Sequence, residues 1–177
     1  MPMGNQSRKS SMNKLAETAR REALRCFHGY VMGTESNIDE MIKPFPQWTL
    51  KEADGLWCAA FVYYCCTLAG IVIPVRPKEC VSSNLAGCLA WEEWAMMDDR
   101  ITCHRADTSY EPVCGDIVLF DHVFCNSEHD HIGIVLENRE FSIIVAEGNI
   151  NNISGVLERR KDMHIRTYIS IPDRFVY

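Results

Sequence analysis

The sequence predicts an α+β domain in which N-terminal helices pack on an antiparallel β-sheet. Three observations carry that expectation. Apolar residues recur at helical spacing through the first half of the chain, Ile- and Val-rich runs fill the second half, and the change near Asp98 happens once. A length of 177 residues suits one domain, placed at residues 12–177 behind a polar, Ser-rich and mobile segment at 1–11.

The first helix is expected from Met12 to His28, where Leu15, Ala19, Ala23, Leu24 and Phe27 share a face. Gly29 and Gly33 end it. Residues 34–55 hold a short helical turn around Ile38, Met41 and Ile42, then Pro44, Pro46 and a loop. A second helix opens near Trp57 and stops at Gly70, ahead of an extended IVIPV segment. A third is expected from Ser82 to Met97, with Leu85, Leu89 and Trp94 on similar faces. Strands follow at 115–121, 131–137, 141–149 and 166–171.

Composition narrows the function. Apolar residues make up 47% and charged residues 24%, so the chain can build a core. A net charge of −6 argues against nucleic acid as a partner, and the basic start of the chain reads as a solvated helix face. Residues 55–75 carry no charge, yet Gly70, Pro74, Thr67 and the Tyr63–Tyr64 pair favour a buried helix over a membrane span. Nine cysteines at irregular spacing, without any C-x-x-C, fit reduced thiols better than a disulfide framework. The N-terminus has no apolar stretch of the kind a Sec signal needs, so synthesis in the cytoplasm is expected.

Chemistry converges on a few residues. Cys58 begins the apolar run WCAAFVYYCC, where a helix N-terminus favours thiolate, whereas Cys65 and Cys66 lie deeper and read as inert core thiols. His131 opens one strand and Glu147 closes the next. A three-residue turn of Asn138, Arg139 and Glu140 would pair Glu137 with Phe141 and set His131 directly opposite Glu147. A carboxylate there fixes the imidazole's tautomer, giving a nucleophile, a base and an orienting group. His129 is the rival base, two residues earlier on the same face. His122, Cys125, His129 and His131 also raise a zinc site, although no pair has finger spacing and no metal or other cofactor is expected. Trp57 adjoins the nucleophile and is a candidate substrate-binding wall; Trp91 and Trp94 read as core, and Asp116 as a turn-stabilising residue.

WCAAFV (57–62), GDIVLF (115–120), HIGIV (131–135) and EGN (147–149), in this order and spacing, resemble the CHAP (cysteine, histidine-dependent amidohydrolase/peptidase) family. That family belongs to the papain-like, NlpC-type superfamily, and the resemblance covers residues 15–172. It implies a papain-like α+β fold and a thiol amidohydrolase or peptidase with Cys58 as nucleophile, His131 as base and Glu147 as orienting residue. Asn149 would be a polar helper near the histidine. It further implies bacterial peptidoglycan as substrate, cleaved by an amidase or endopeptidase, and a monomer with no cofactor. Without a wall-binding module or export signal, delivery by lysis or a secretion machine is expected, with an immunity protein as a possible partner. Two other readings stay open: an intracellular cysteine protease or deamidase-type toxin, and a catalytically silent binding domain of this fold.

Overall fold

The computed structural model describes residues 13–105 and 109–177; the segment expected to be mobile at 1–11 lies outside them. Five helices come first: α1 (Lys14–Ala23), α2 (Asp39–Ile42), α3 (Leu50–Ala53), α4 (Cys58–Leu68) and α5 (Cys88–Met97). Six strands follow: β1 (Thr102–Arg105), β2 (Ile117–Phe120), β3 (His131–Asn138), β4 (Ser142–Ile150), β5 (Ile153–Arg160) and β6 (Ile165–Ser170). They form one antiparallel sheet in the order β1-β6-β2-β3-β4-β5.

Strand alternation divides the apolar side chains between two faces. Ile117, Leu119, Ile132, Ile134 and Ala146 join the main core, which they share with α1, α4 and α5. Val118, Phe120, Val135, Ile143 and Val145 form a smaller cluster on the opposite face. Helix α4 is apolar around most of its circumference, as a helix buried inside a domain must be. It lies against β3 and β4, and at Gly148 an added Cβ would sit 2.5 Å from the Cβ of Phe61.

The uncharged stretch resolves as expected into one buried helix. It stops before Gly70, whose φ is +84°, and among the described residues no helix is long and apolar enough to cross a membrane. Other expectations need correction. Helix α1 ends at Ala23 because the chain turns at Cys26, in the left-handed region with φ of 56°, and Phe27 N–H is then bound by Ser154 Oγ. Helix α5 begins at Cys88 rather than Ser82, since Asn84 accepts Ala86 N–H in a tight turn ahead of it. Strands β1 and β5 have no counterpart in the sequence reading: β1 is short, and β5 (ISGVLERR) alternates too weakly to show a period of two.

The β3–β4 register also departs from the expectation. Ile134 faces Ala146 and Val135 faces Val145, and a bulge between Val135 and Glu137 then pairs Glu137 with Ile144 and Asn138 with Ile143. The turn is longer than three residues, with Phe141 exposed at its tip and Arg139 N–H bound to the carbonyl of Ser142. Continued by one residue, this register sets Gly133 opposite Glu147, so His131 and Glu147 are diagonal neighbours. A slip of two keeps both on one face, which preserves their contact.

Candidate active site

Helix α4 starts without a capping side chain and with no acidic residue in its first turn. Its unpaired N–H groups and the positive end of its macrodipole therefore act on whatever anion is nearest. The nearest group is its own first residue, Cys58, whose sulfur is bound by the Ala59 N–H and lies 3.7 Å from the Cys88 sulfur. Cys88 is in turn the first residue of α5, a second helix with neither a capping side chain nor an acid in its first turn.

His131 and Glu147 are fully buried on the face of the smaller cluster. His131 Nε2 binds Glu147 Oε2 at 2.6 Å, and Nδ1, buried and without a hydrogen-bond partner of good geometry, is the nitrogen left to serve Cys58. Phe124 stands edge-on to the imidazole with ring centroids 4.6 Å apart, and Phe120 stacks at 6.0 Å. Gly133 makes the diagonal contact feasible. A Cβ there would lie 2.8 Å from Glu147 Cγ and 2.4 Å from Val145 Cγ1, in space the glutamate needs to reach its histidine.

The electrostatics follow from these contacts. The Cys58 thiol is lowered to about 5: the Cys88 hydrogen bond lowers it most, burial opposes this, and His131 adds to the lowering. Burial works against a charged His131, yet the neighbouring Cys58 sulfur and the Glu147 carboxylate prevail and raise it to about 9. Burial likewise opposes ionisation of Glu147. Arg159 and His131 outweigh it and hold the carboxyl below its ordinary range. All three shifts point the same way and favour a thiolate beside an imidazolium, backed by a carboxylate, at neutral pH.

Residues 50–149 match the CHAP domain family and span Cys58, His131, Glu147 and Asn149. The match covers more than half of the chain. The chain belongs to the CHAP family. CHAP domains are typically hydrolases, amidases or peptidases, acting on peptide-type bonds. No curated protein matches the chain closely enough to count as a relative.

Three residues that build this CHAP site were not singled out from sequence. Arg159 on β5 binds Glu147 in a fork, Nε to Oε1 at 2.8 Å and Nη2 to Oε2 at 2.7 Å. Its guanidinium also lies over the rings of Phe120 and Phe124, 5.5 and 5.6 Å from their centroids. Asn152, in the β4–β5 turn with φ of 69°, accepts from Gly55 N–H and from the Trp57 indole, and donates to Asp54 Oδ1. It fixes the loop that feeds α4. Cys88 is the third. It heads an apolar run after Gly87, the same helix-start signal that singled out Cys58.

Two predicted positions serve the CHAP site differently than expected. Trp57 is wholly buried with its indole N–H given to Asn152, so it anchors the loop before Cys58 and forms no open wall for substrate. Asn149 donates its amide to the Gly55 carbonyl at 2.7 Å, bracing that same loop instead of the histidine. The rival base, His129, binds Glu92, which also accepts from Arg166 and Thr167; that network pins the 121–130 loop to α5 and β6. Cys125 pairs with Ser127, and among the described residues no group of three or more His, Cys, Asp or Glu is arranged to hold a metal ion. Asp116 buttresses Tyr110, Val113 N–H and Ser170.

Proposed function

We propose that this CHAP domain is a cysteine-dependent amide hydrolase that cleaves peptidoglycan, as an amidase or endopeptidase, through Cys58, His131 and Glu147. The observation that carries the reading is the division of the His131 ring: Nε2 is held by Glu147 at 2.6 Å while Nδ1 is left for the Cys58 sulfur.

Thiolate Cys58 attacks the amide carbonyl, and the uncapped N–H groups at the start of α4 are the donors available to the oxyanion. His131 gives its Nδ1 proton to the leaving nitrogen, the C–N bond breaks, and a thioester to Cys58 remains. Neutral His131 then takes a proton from water, whose oxygen attacks the thioester and releases the carboxylic acid with Cys58 as thiolate. Glu147 touches neither bond. It holds the ring in place and offsets imidazolium charge, while Arg159 keeps Glu147 ionised.

Peptidoglycan is favoured by the family's chemistry, and delivery to the wall by lysis or a secretion machine belongs to the same proposal. The test is digestion of purified peptidoglycan under reducing conditions, with mass spectrometry of the fragments and Cys58→Ala as control. New amino termini within stem peptides mark an endopeptidase, and stems freed from sugar mark an amidase. Intact peptidoglycan beside cleaved or deamidated protein substrates would shift the assignment to an intracellular protease or toxin. Turnover of neither would leave a silent binding domain.

A further inference from the structure

The proposed mechanism uses one thiol, yet the site contains two. Cys58 and Cys88 are the first residues of α4 and α5, so two uncapped helix N-termini meet at one sulfur pair. The separation of 3.7 Å is van der Waals contact. Reaching a disulfide length of about 2.05 Å requires each sulfur to move by under about 1 Å. Both residues keep a sliver of exposed surface, 7% and 8%, enough for a small oxidant to reach them. Other cysteines are poorly placed to compete. Cys65, Cys66 and Cys80 are buried with thiols pushed up chiefly by burial, and Cys26, Cys114 and Cys125 are exposed elsewhere.

We propose that Cys58 and Cys88 form a redox-active pair in which a peroxide oxidises Cys58 to the sulfenic acid and Cys88 resolves it as an intramolecular disulfide. This rests on the reading of Cys58 as the reactive thiolate. In the first step the Cys58 thiolate takes one oxygen from the peroxide, whose O–O bond breaks and whose other half leaves as hydroxide or alkoxide. Cys88, held protonated chiefly by its hydrogen bond to anionic Cys58, loses that restraint once Cys58 carries a neutral S–OH. Its sulfur then attacks the Cys58 sulfur, the S–O bond breaks, and hydroxide departs with the Cys88 proton as water. Two electrons have passed from the two thiols to the peroxide. The disulfide removes the nucleophile and shields it from sulfinic and sulfonic acids, which thiols do not reverse. A dithiol reductant restores both cysteines.

The experiment treats the full-length protein, freed of reductant, with hydrogen peroxide, blocks remaining thiols, and maps peptides by mass spectrometry without reduction. The expected product is a Cys58–Cys88 linked peptide lacking two hydrogens, with hydrolytic activity lost and then fully recovered on dithiothreitol. Cys88→Ser should instead accumulate Cys58 bearing two or three oxygens and recover less than about one tenth of its starting activity. If that variant does not fold, the wild-type map alone decides. Over-oxidation of Cys58 in the wild type without the linked peptide, or linkage of Cys58 to another cysteine, overturns the pair. The map needs no substrate, so the two assignments fail separately. A Cys58–Cys88 linkage together with an active Cys58→Ala variant keeps the pair and removes the nucleophile. An inactive Cys58→Ala variant without the linkage does the reverse.

Discussion

Replacing Arg159 by alanine is the perturbation whose size the structure constrains best. Glu147 has no exposed side-chain surface, and Arg159, about one-fifth exposed, supplies two hydrogen bonds to it at 2.8 and 2.7 Å. Removing one partner of a buried ion pair costs about 3–5 kcal/mol, because the remaining charge is left without its counter-ion. His131 still holds Glu147 in the variant, and Arg159 is partly solvated, so the lower end applies, about 3 kcal/mol. For a domain of this size each kcal/mol moves Tm by roughly 2–4 °C, so a fall of about 6–12 °C is expected. Arg159→Lys keeps the charge and loses the fork, and should cost about 1.5 kcal/mol. In a Glu147→Gln background no buried carboxylate is left to lose its counter-ion, and removing Arg159 should cost only about 1 kcal/mol through its lost contacts with Phe120 and Phe124. The pH dependence has a definite sign. Glu147 ionises more readily folded than unfolded, so its contribution is present above the ordinary carboxylate range and is lost as pH falls through its folded value. The Tm gap between wild type and Arg159→Ala should therefore narrow below about pH 4. Thermal melts of the five proteins (wild type, Arg159→Ala, Arg159→Lys, Glu147→Gln and the Glu147→Gln/Arg159→Ala double variant) across pH are the assay. A Tm change under about 2 °C at neutral pH, or the same loss in the Glu147→Gln background, would refute the reasoning.

Three further outcomes follow from the same geometry. With Cys58 lowered to about 5 and His131 raised to about 9, kcat/KM should be bell-shaped. It falls on the acid side as the thiolate is protonated and on the alkaline side as the imidazolium is lost; a profile rising to pH 10 or above would contradict this. Glu147→Gln should keep the fold and lower kcat by up to about 10⁴-fold, the scale set by the analogous change in a serine-protease triad, while Glu137→Gln is nearly silent; kinetics beside a melt checks both. Gly133→Ala should cost about 1–3 kcal/mol and cut turnover, because the new Cβ falls 2.4 Å from Val145 Cγ1 and 2.8 Å from Glu147 Cγ; wild-type kinetics in that variant would show that Glu147 does not need the glycine's space.

The α+β arrangement was legible because each half of the chain keeps one hydrophobic period. The apolar run after Trp57 is too long for a strand and is stopped by Gly70, while HIGIVLE and FSIIVAEGN are bounded runs of β-branched residues. Cys58, His131 and Glu147 sit at element ends, where local sequence carries the signal, and the structure brings all three together. Register was less accessible. The bulge between Val135 and Glu137 has no glycine or proline to announce it, and it moved the turn without moving His131 or Glu147 to another face. Arg159 lies in a strand of weak alternation and meets Glu147 only through sheet pairing, so no local pattern reveals it. Trp57 looked like a cleft wall because adjacency in sequence says nothing of burial. Its partner, Asn152, lies 95 residues further along the chain.

The central claim is that the Cys88 hydrogen bond, His131 and the start of α4 together make Cys58 a thiolate. The direct measurement is the rate of Cys58 alkylation by sub-stoichiometric iodoacetamide as a function of pH, read by peptide mapping in wild type and in His131→Ala. Cys58 should label first, with half-maximal reactivity near pH 5 in the wild type and well above that in His131→Ala. A wild-type profile with its midpoint at an ordinary thiol value of about 8.5, or preferential labelling of another cysteine, would contradict the account.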